Sequence, residues 1–204
     1  MKPIANKIAK KQAGYSLVEL SVALAIVAVI LVGGLTGTRQ ILMTNNVNNQ
    51  LKDSALVISK VTRQFQNSLS TSGATNANLV PLSIWPSDRY TAAAGASSVK
   101  GVMSNTNEYI FPNKAQIGDL APNTGFMYTF TNVPSAACAD MITGLDNMAY
   151  AIYAGKAGAA PTDGANPSTT LVKVSNSSRF DASALATGCN SVNATVDITA
   201  VIRL

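Results

Sequence analysis

The hydrophobic pattern changes character along the chain. Residues 15–35, YSLVELSVALAIVAVILVGGL, are apolar almost without interruption. As a helix rising about 1.5 Å per residue they reach about 31 Å, the thickness of a bilayer's hydrocarbon core. Past them the run thins into a stripe at helical spacing, Val47, Leu51, Ala55, Ile58, Val61, Phe65 and Leu69, with Asn45, Asn46, Asn48, Asn49, Gln50, Lys52 and Asp53 on the polar face. The pattern predicts one helix from about residue 16 to residue 68, ended by Ser70-Thr71-Ser72-Gly73. At about 80 Å it is longer than a globule of this size needs, so its hydrophobic N-terminal half is expected to protrude.

The pattern then shortens. Residues 71–101 are rich in Ser, Thr, Ala, Asn and Gly and punctuated by Pro81, Trp85 and Pro86, which predicts a loop region with one or two short helical turns. Trp85 reads as a packing anchor there. Alternation and β-branched or aromatic content predict strands at 108–111, 126–132, 148–154, 170–174 and 194–204. Ser135 and Asp181 stand just ahead of alanine-rich turns and are good helix N-caps. The fold class is α+β: a long N-terminal α-helix packed on an antiparallel β-sheet in a single modest domain.

Charge changes the picture at one end only. The net charge is +5, but Lys2, Lys7, Lys10 and Lys11 all precede the apolar run without an acid among them. The remaining 11 basic residues face 10 acids, a balance of +1. The basic character therefore carries no nucleic-acid signal. It orients the span, with the N-terminus cytoplasmic and the rest of the chain outside.

Glu19 is the anomaly in that span. An acid at a membrane helix centre costs roughly 2.5–3.5 kcal/mol on insertion scales, less near an end, and usually has a partner. Three readings fit. One is an ordinary secretory signal removed after the run, which releases an exported binding module. Another is a plain membrane anchor with an interfacial carboxylate. The third is a cut between Gly14 and Tyr15 that keeps the run and leaves Glu19 as the fifth residue of the product.

Lys10-Lys11-Gln12-Ala13-Gly14 followed by Tyr15-Ser16-Leu17-Val18-Glu19-Leu20 resembles the type III signal of type IV prepilins. The 14-residue leader, the tyrosine at 15 and the lack of proline between residues 15 and 80 favour the type IVb class. The resemblance implies that a prepilin peptidase cuts after Gly14 and methylates the new amine of Tyr15. It also implies that the Glu19 carboxylate pairs with the Tyr15 amine of a neighbouring subunit. The implied organisation is a cleaved leader at 1–14, a helix at 15–70 and a globular head at 71–204. The implied partners are other copies of the chain in a helical homopolymer, the peptidase, the inner membrane and its pilus assembly machinery. The implied locations are the inner membrane before assembly and an extracellular pilus afterwards, serving adhesion, aggregation or mating contact. A secretion pseudopilin or minor pilin is the nearest alternative within the family.

Cys138 and Cys189 are the two cysteines, and an even pair in an exported chain predicts a disulfide. The stretch around Cys138 is similar to that around the first disulfide cysteine of type IVb major pilins. The resemblance implies that 138–189 is the exposed, variable region, with 155–169 as its protruding loop. The sequence holds no histidine, which removes the usual zinc set and the commonest general base. No phosphate-binding glycine loop or nucleophile elbow occurs either. No metal, cofactor or enzymatic activity is expected. Gly33, Gly34 and Gly37 admit two readings, close helix packing through small residues or local unwinding.

Overall fold

The computed structural model describes residues 16–90, 99–158, 170–174, 180–190 and 194–204. Two compact units divide the chain, Met1–Leu42 and Met43–Leu204. Helix α1 (Leu17–Phe65) supplies residues to both. In the first unit α1 continues unbroken through Gly33, Gly34 and Gly37, where an added Cβ would meet nothing within 4 Å. Residues 16–35 are exposed throughout.

In the second unit α1 buries Val47, Gln50, Ser54, Val57, Ile58 and Val61, a face repeating every three or four residues. Gln50 was expected on the polar face. It points into the core instead, because its position falls between Val47 and Ser54 on the buried side, and there its Nε2 donates to Glu108 while its Oε1 accepts from two backbone N–H groups. The helix is also shorter than its apolar pattern predicts. It stops at Phe65, and Leu69 is fully exposed beyond it. The chain is drawn off the helical path by Thr71, whose N–H donates to Asn123 O (2.9 Å) and whose hydroxyl donates to Gly125 O (2.5 Å).

Among the described residues six strands form one antiparallel sheet: β1 (Val99–Lys100), β2 (Asn107–Pro112), β3 (Gly125–Pro134), β4 (Ala151–Lys156), β5 (Thr170–Val174) and β6 (Thr195–Arg203), in the order β1-β2-β3-β6-β4-β5. The last strand in sequence thus lies at the centre. Its alternation sorts the two faces: Ile198, Ala200 and Ile202 join Phe126, Tyr128, Phe130 and the buried face of α1 in the main core. On the opposite face Val201 packs with Met127, Tyr150 and Ala151 beneath Ile117 and Leu120.

Among the described residues the unit also has three short α-helices: α2 (Asn76–Leu79), α3 (Ser135–Leu145) and α4 (Ala182–Cys189). Asp181 caps α4 as its sequence position predicts, accepting from Ser183 N (2.9 Å) and Ala184 N (3.2 Å). Ser135 is the first residue of α3 rather than its cap, which is Pro134. Strand β4 begins at Ala151, three residues later than expected. Met148 and Ala149 are taken up in the turn that closes α3, both N–H groups donating to Leu145 O at 3.0 Å. The described residues of 71–101 contain α2 and two 3₁₀ turns, Val80–Leu82 and Ser87–Arg89, one piece more than the one or two short helical turns expected, and also β1, which is too short to carry a strand signal.

Candidate functional site

Two features carry the chemistry that the sequence singles out, and they lie in different units. The first is the start of α1. Gly14 and Tyr15 lie outside the described residues. Glu19 stands in the first turn of α1, exposed, among the exposed side chains of Leu17, Val18, Leu20 and Val22. A carboxylate in a first helical turn gains about 0.3–1 kcal/mol from the unsatisfied N–H groups and the helix dipole. Among the described residues its carboxylate has no hydrogen-bond or ion-pair partner. The helix is long and apolar enough to cross a membrane, with a mean hydropathy of 2.5 over its best 18-residue window, and none of that window is buried. An apolar surface this continuous is covered in use by lipid or by protein.

The second feature is the disulfide between Cys138 on α3 and Cys189 at the end of α4, with Cα atoms 5.6 Å apart. It closes a segment that contains β4, β5 and α4. Cys138 is buried in the main core and Cys189 half-buried beside it. Gly188 lets α4 approach β4: an added Cβ would fall 2.9 Å from Ala154 Cβ and 3.0 Å from its carbonyl oxygen. Lys173 of β5 fastens the same region. Its buried ammonium donates to the carboxylate of Asp146, to Asp146 O (2.7 Å) and to Ala149 O (3.3 Å), next to the C-terminus of α3. Of the predicted protruding loop, residues 159–169 lie outside the described residues.

A third cluster escaped the sequence reading. Glu108 on β2 is fully buried and accepts four side-chain hydrogen bonds. Gln50 Nε2 (2.7 Å) and Arg89 bind Oε1; Trp85 Nε1 (2.9 Å) and the Tyr128 hydroxyl bind Oε2. Arg89 also pairs with Asp53 of α1. Burial pushes the Glu108 carboxyl above its ordinary range, and Arg89, Tyr128, Gln50 and Trp85 pull it back. For Arg89 burial disfavours the charge, but Glu108 and Asp53 outweigh it and hold the guanidinium above its usual value. Burial, then the Glu108 charge, pushes the Tyr128 phenol well up. The signal was present in the alternation of β2. Glu108 shares the inward face of Ile110, and an inward glutamate needs donors. The indole N–H of Trp85 needs an acceptor in turn.

The Prokaryotic N-terminal methylation motif matches residues 9–35, which hold the Gly14-Tyr15 junction, Glu19 and the exposed run. Similar solved structures include a type IV b pilin from Salmonella typhi, at 14% identity over 75% of this chain and 97% of that one, with a TM-score of 0.47. Another is TcpA, a type IV pilin from Vibrio cholerae El Tor biotype, at 15% identity over 77% of this chain and 98% of that one, with a TM-score of 0.43. No curated protein matches the chain.

Proposed function

We propose that this chain is the structural subunit of a type IVb pilus. It is held in the inner membrane by residues 15–35 as a precursor and cut between Gly14 and Tyr15 by a prepilin peptidase. The new Tyr15 amine is methylated, and assembly machinery in the inner membrane draws the subunit into an extracellular filament. The carrying observation is the continuity of the methylation motif at 9–35 with a helix whose side chains from 16 to 35 are all exposed. That surface is membrane-buried in the precursor and buried among like helices in the polymer. Removal of the leader is a physical requirement of the second state, since several lysines cannot enter an apolar filament core without a large desolvation cost. The disulfide-closed region belongs to the outer surface of the filament, where it makes cell contacts.

The test is the intact mass of the chain recovered from its own cells, together with electron microscopy of sheared surface fibres. The expected mass is that of residues 15–204, with one disulfide and one added methyl group. A product that begins beyond residue 31 overturns the proposal and identifies an exported module with an ordinary signal. A cut at Gly14 without surface fibres would assign the chain to a secretion pseudopilus or a minor position.

A further inference from the structure

The chain between α1 and β2 has little backbone pairing of its own. Among its described residues the regular pieces are short: four residues in α2, three in each 3₁₀ turn and two in β1. Side chains hold it instead, and they converge on one residue. Trp85 and Arg89 of this connection reach the Glu108 carboxylate, as do Gln50 of α1 and Tyr128 of β3. The backbone carbonyl of Glu108 accepts from Asn76 Nδ2 (2.8 Å), and Asn76 Oδ1 accepts from Ile110 N (2.7 Å). Gln50 Oε1 accepts from Val102 N (2.7 Å) and Met103 N (3.3 Å), and Arg89 Nε donates to Lys100 O (2.7 Å).

The donor set specifies a pair of acceptor oxygens as well as a shape. With two donors on each oxygen, the acceptor positions of the carboxylate are filled. Trp85 and Arg89 can only donate, and the acceptor oxygen of Gln50 is already occupied by two backbone N–H groups. The Tyr128 hydroxyl alone among the four can turn round and accept. An amide at position 108 therefore brings two hydrogens to a site that offers at most one acceptor.

We propose that the Glu108 carboxyl group, through its two acceptor oxygens, is a latch that fastens residues 76–90 and 99–106 across α1 and the sheet, so that these stretches open together as one unit when an acceptor oxygen is replaced. Pro81, Leu82, Ser83, Ser87 and Asp88, which are exposed on the connection, then owe their positions to one buried carboxyl group. The latch is independent of the pilin reading and of the Cys138–Cys189 bridge, which closes a different part of the sheet.

The test compares full-length wild type with Glu108→Gln, in detergent micelles, by site-resolved amide hydrogen exchange. Leu79, Ser83, Arg89, Val102 and Met103 are expected to exchange at least ten-fold faster in the variant, while Met141, Ile142 and Leu145 of α3 stay within two-fold. Equal acceleration in α3, or none in the connection, overturns the latch. Should Glu108→Gln fail to fold, Tyr128→Phe and Trp85→Phe each remove one donor and keep both acceptor oxygens. Each is expected to give the same regional pattern at smaller amplitude, and acceleration confined to the substituted residue's own neighbours overturns the proposal equally.

Discussion

Removing the disulfide is the perturbation whose size follows most directly from the structure. Cys138 and Cys189 are 51 positions apart, so the bridge closes a loop of about 52 residues, worth roughly 4 kcal/mol in the chain-entropy model. The variant of choice is Cys138→Ala with Cys189→Ala, because a serine at 138 would bury a hydroxyl in an apolar core. The loss will be uneven. Helix α3 keeps Ala137, Met141, Ile142 and Leu145 in the core without the bridge. Helix α4 buries Gly188 alone and otherwise rests on the partly buried Phe180 and Leu185. At about 2–4 °C per kcal/mol for a unit of this size, 4 kcal/mol lowers the melting temperature by roughly 8–16 °C. Near-ultraviolet circular dichroism of the detergent-solubilised chain measures the midpoint, and amide exchange locates the loosening. A midpoint lowered by less than about 3 °C, or α3 and α4 loosened equally, would refute the reasoning.

Three further outcomes are expected. Arg89→Met removes the guanidinium that pulls Glu108 down, so the carboxyl moves further above its ordinary range. A group raised on folding contributes stability that is full below its unfolded value, about 4.3 for glutamate, and is lost as pH rises through the folded value. The gap between wild type and Arg89→Met should thus be small in acid and widen with pH toward about 3 kcal/mol, and urea titrations giving the same gap at both ends of the range would contradict this. Gly188→Val sets a side chain against the Ala154 backbone and should cost about 1–3 kcal/mol by overpacking, read as a lowered urea midpoint; an unchanged midpoint would show that α4 shifts freely. Glu19→Leu should be cut at Gly14, fold its head with the disulfide formed, and yield few or no surface fibres by electron microscopy, whereas wild-type fibre numbers would remove the charge-pairing role.

The sequence made legible what has a period or a local signature. Alternation located β2, β3, β5 and β6 within a few residues, and the Asp181 cap is set by its own side chain. The missed parts depend on partners distant in sequence. The end of α1 is decided by Thr71 meeting Asn123 and Gly125, about fifty residues away. Gln50 and Asp53 read as surface residues because polar side chains on an amphipathic helix usually are, and only the meeting of Glu108 with Arg89 and Gln50 brings them inward. The order of the sheet, with β6 inserted between β3 and β4, leaves no mark on local composition either.

Glu108 and Glu19 pose the same physical problem at two levels of organisation. A carboxylate in apolar surroundings carries a desolvation penalty of several kcal/mol unless donors or a cation meet it. Glu108 finds its four donors within its own chain, which lets the second unit complete that site alone. Glu19 has no such partner among the described residues, although it stands at the head of an exposed apolar run. In water or at a bilayer's edge it needs none. In the proposed filament, where like helices would cover residues 16–35, the carboxylate would have to be met from outside its own described contacts, and the amine freed at Tyr15 by the proposed cut would supply a charge of the required sign. The penalty that makes an unmatched Glu19 costly would then also fix the axial register of the proposed filament, because a neighbour docked one step away would leave both charges unpaired. On the proposed function Glu19 would specify how subunits stack, whereas Glu108 specifies how the second unit holds together.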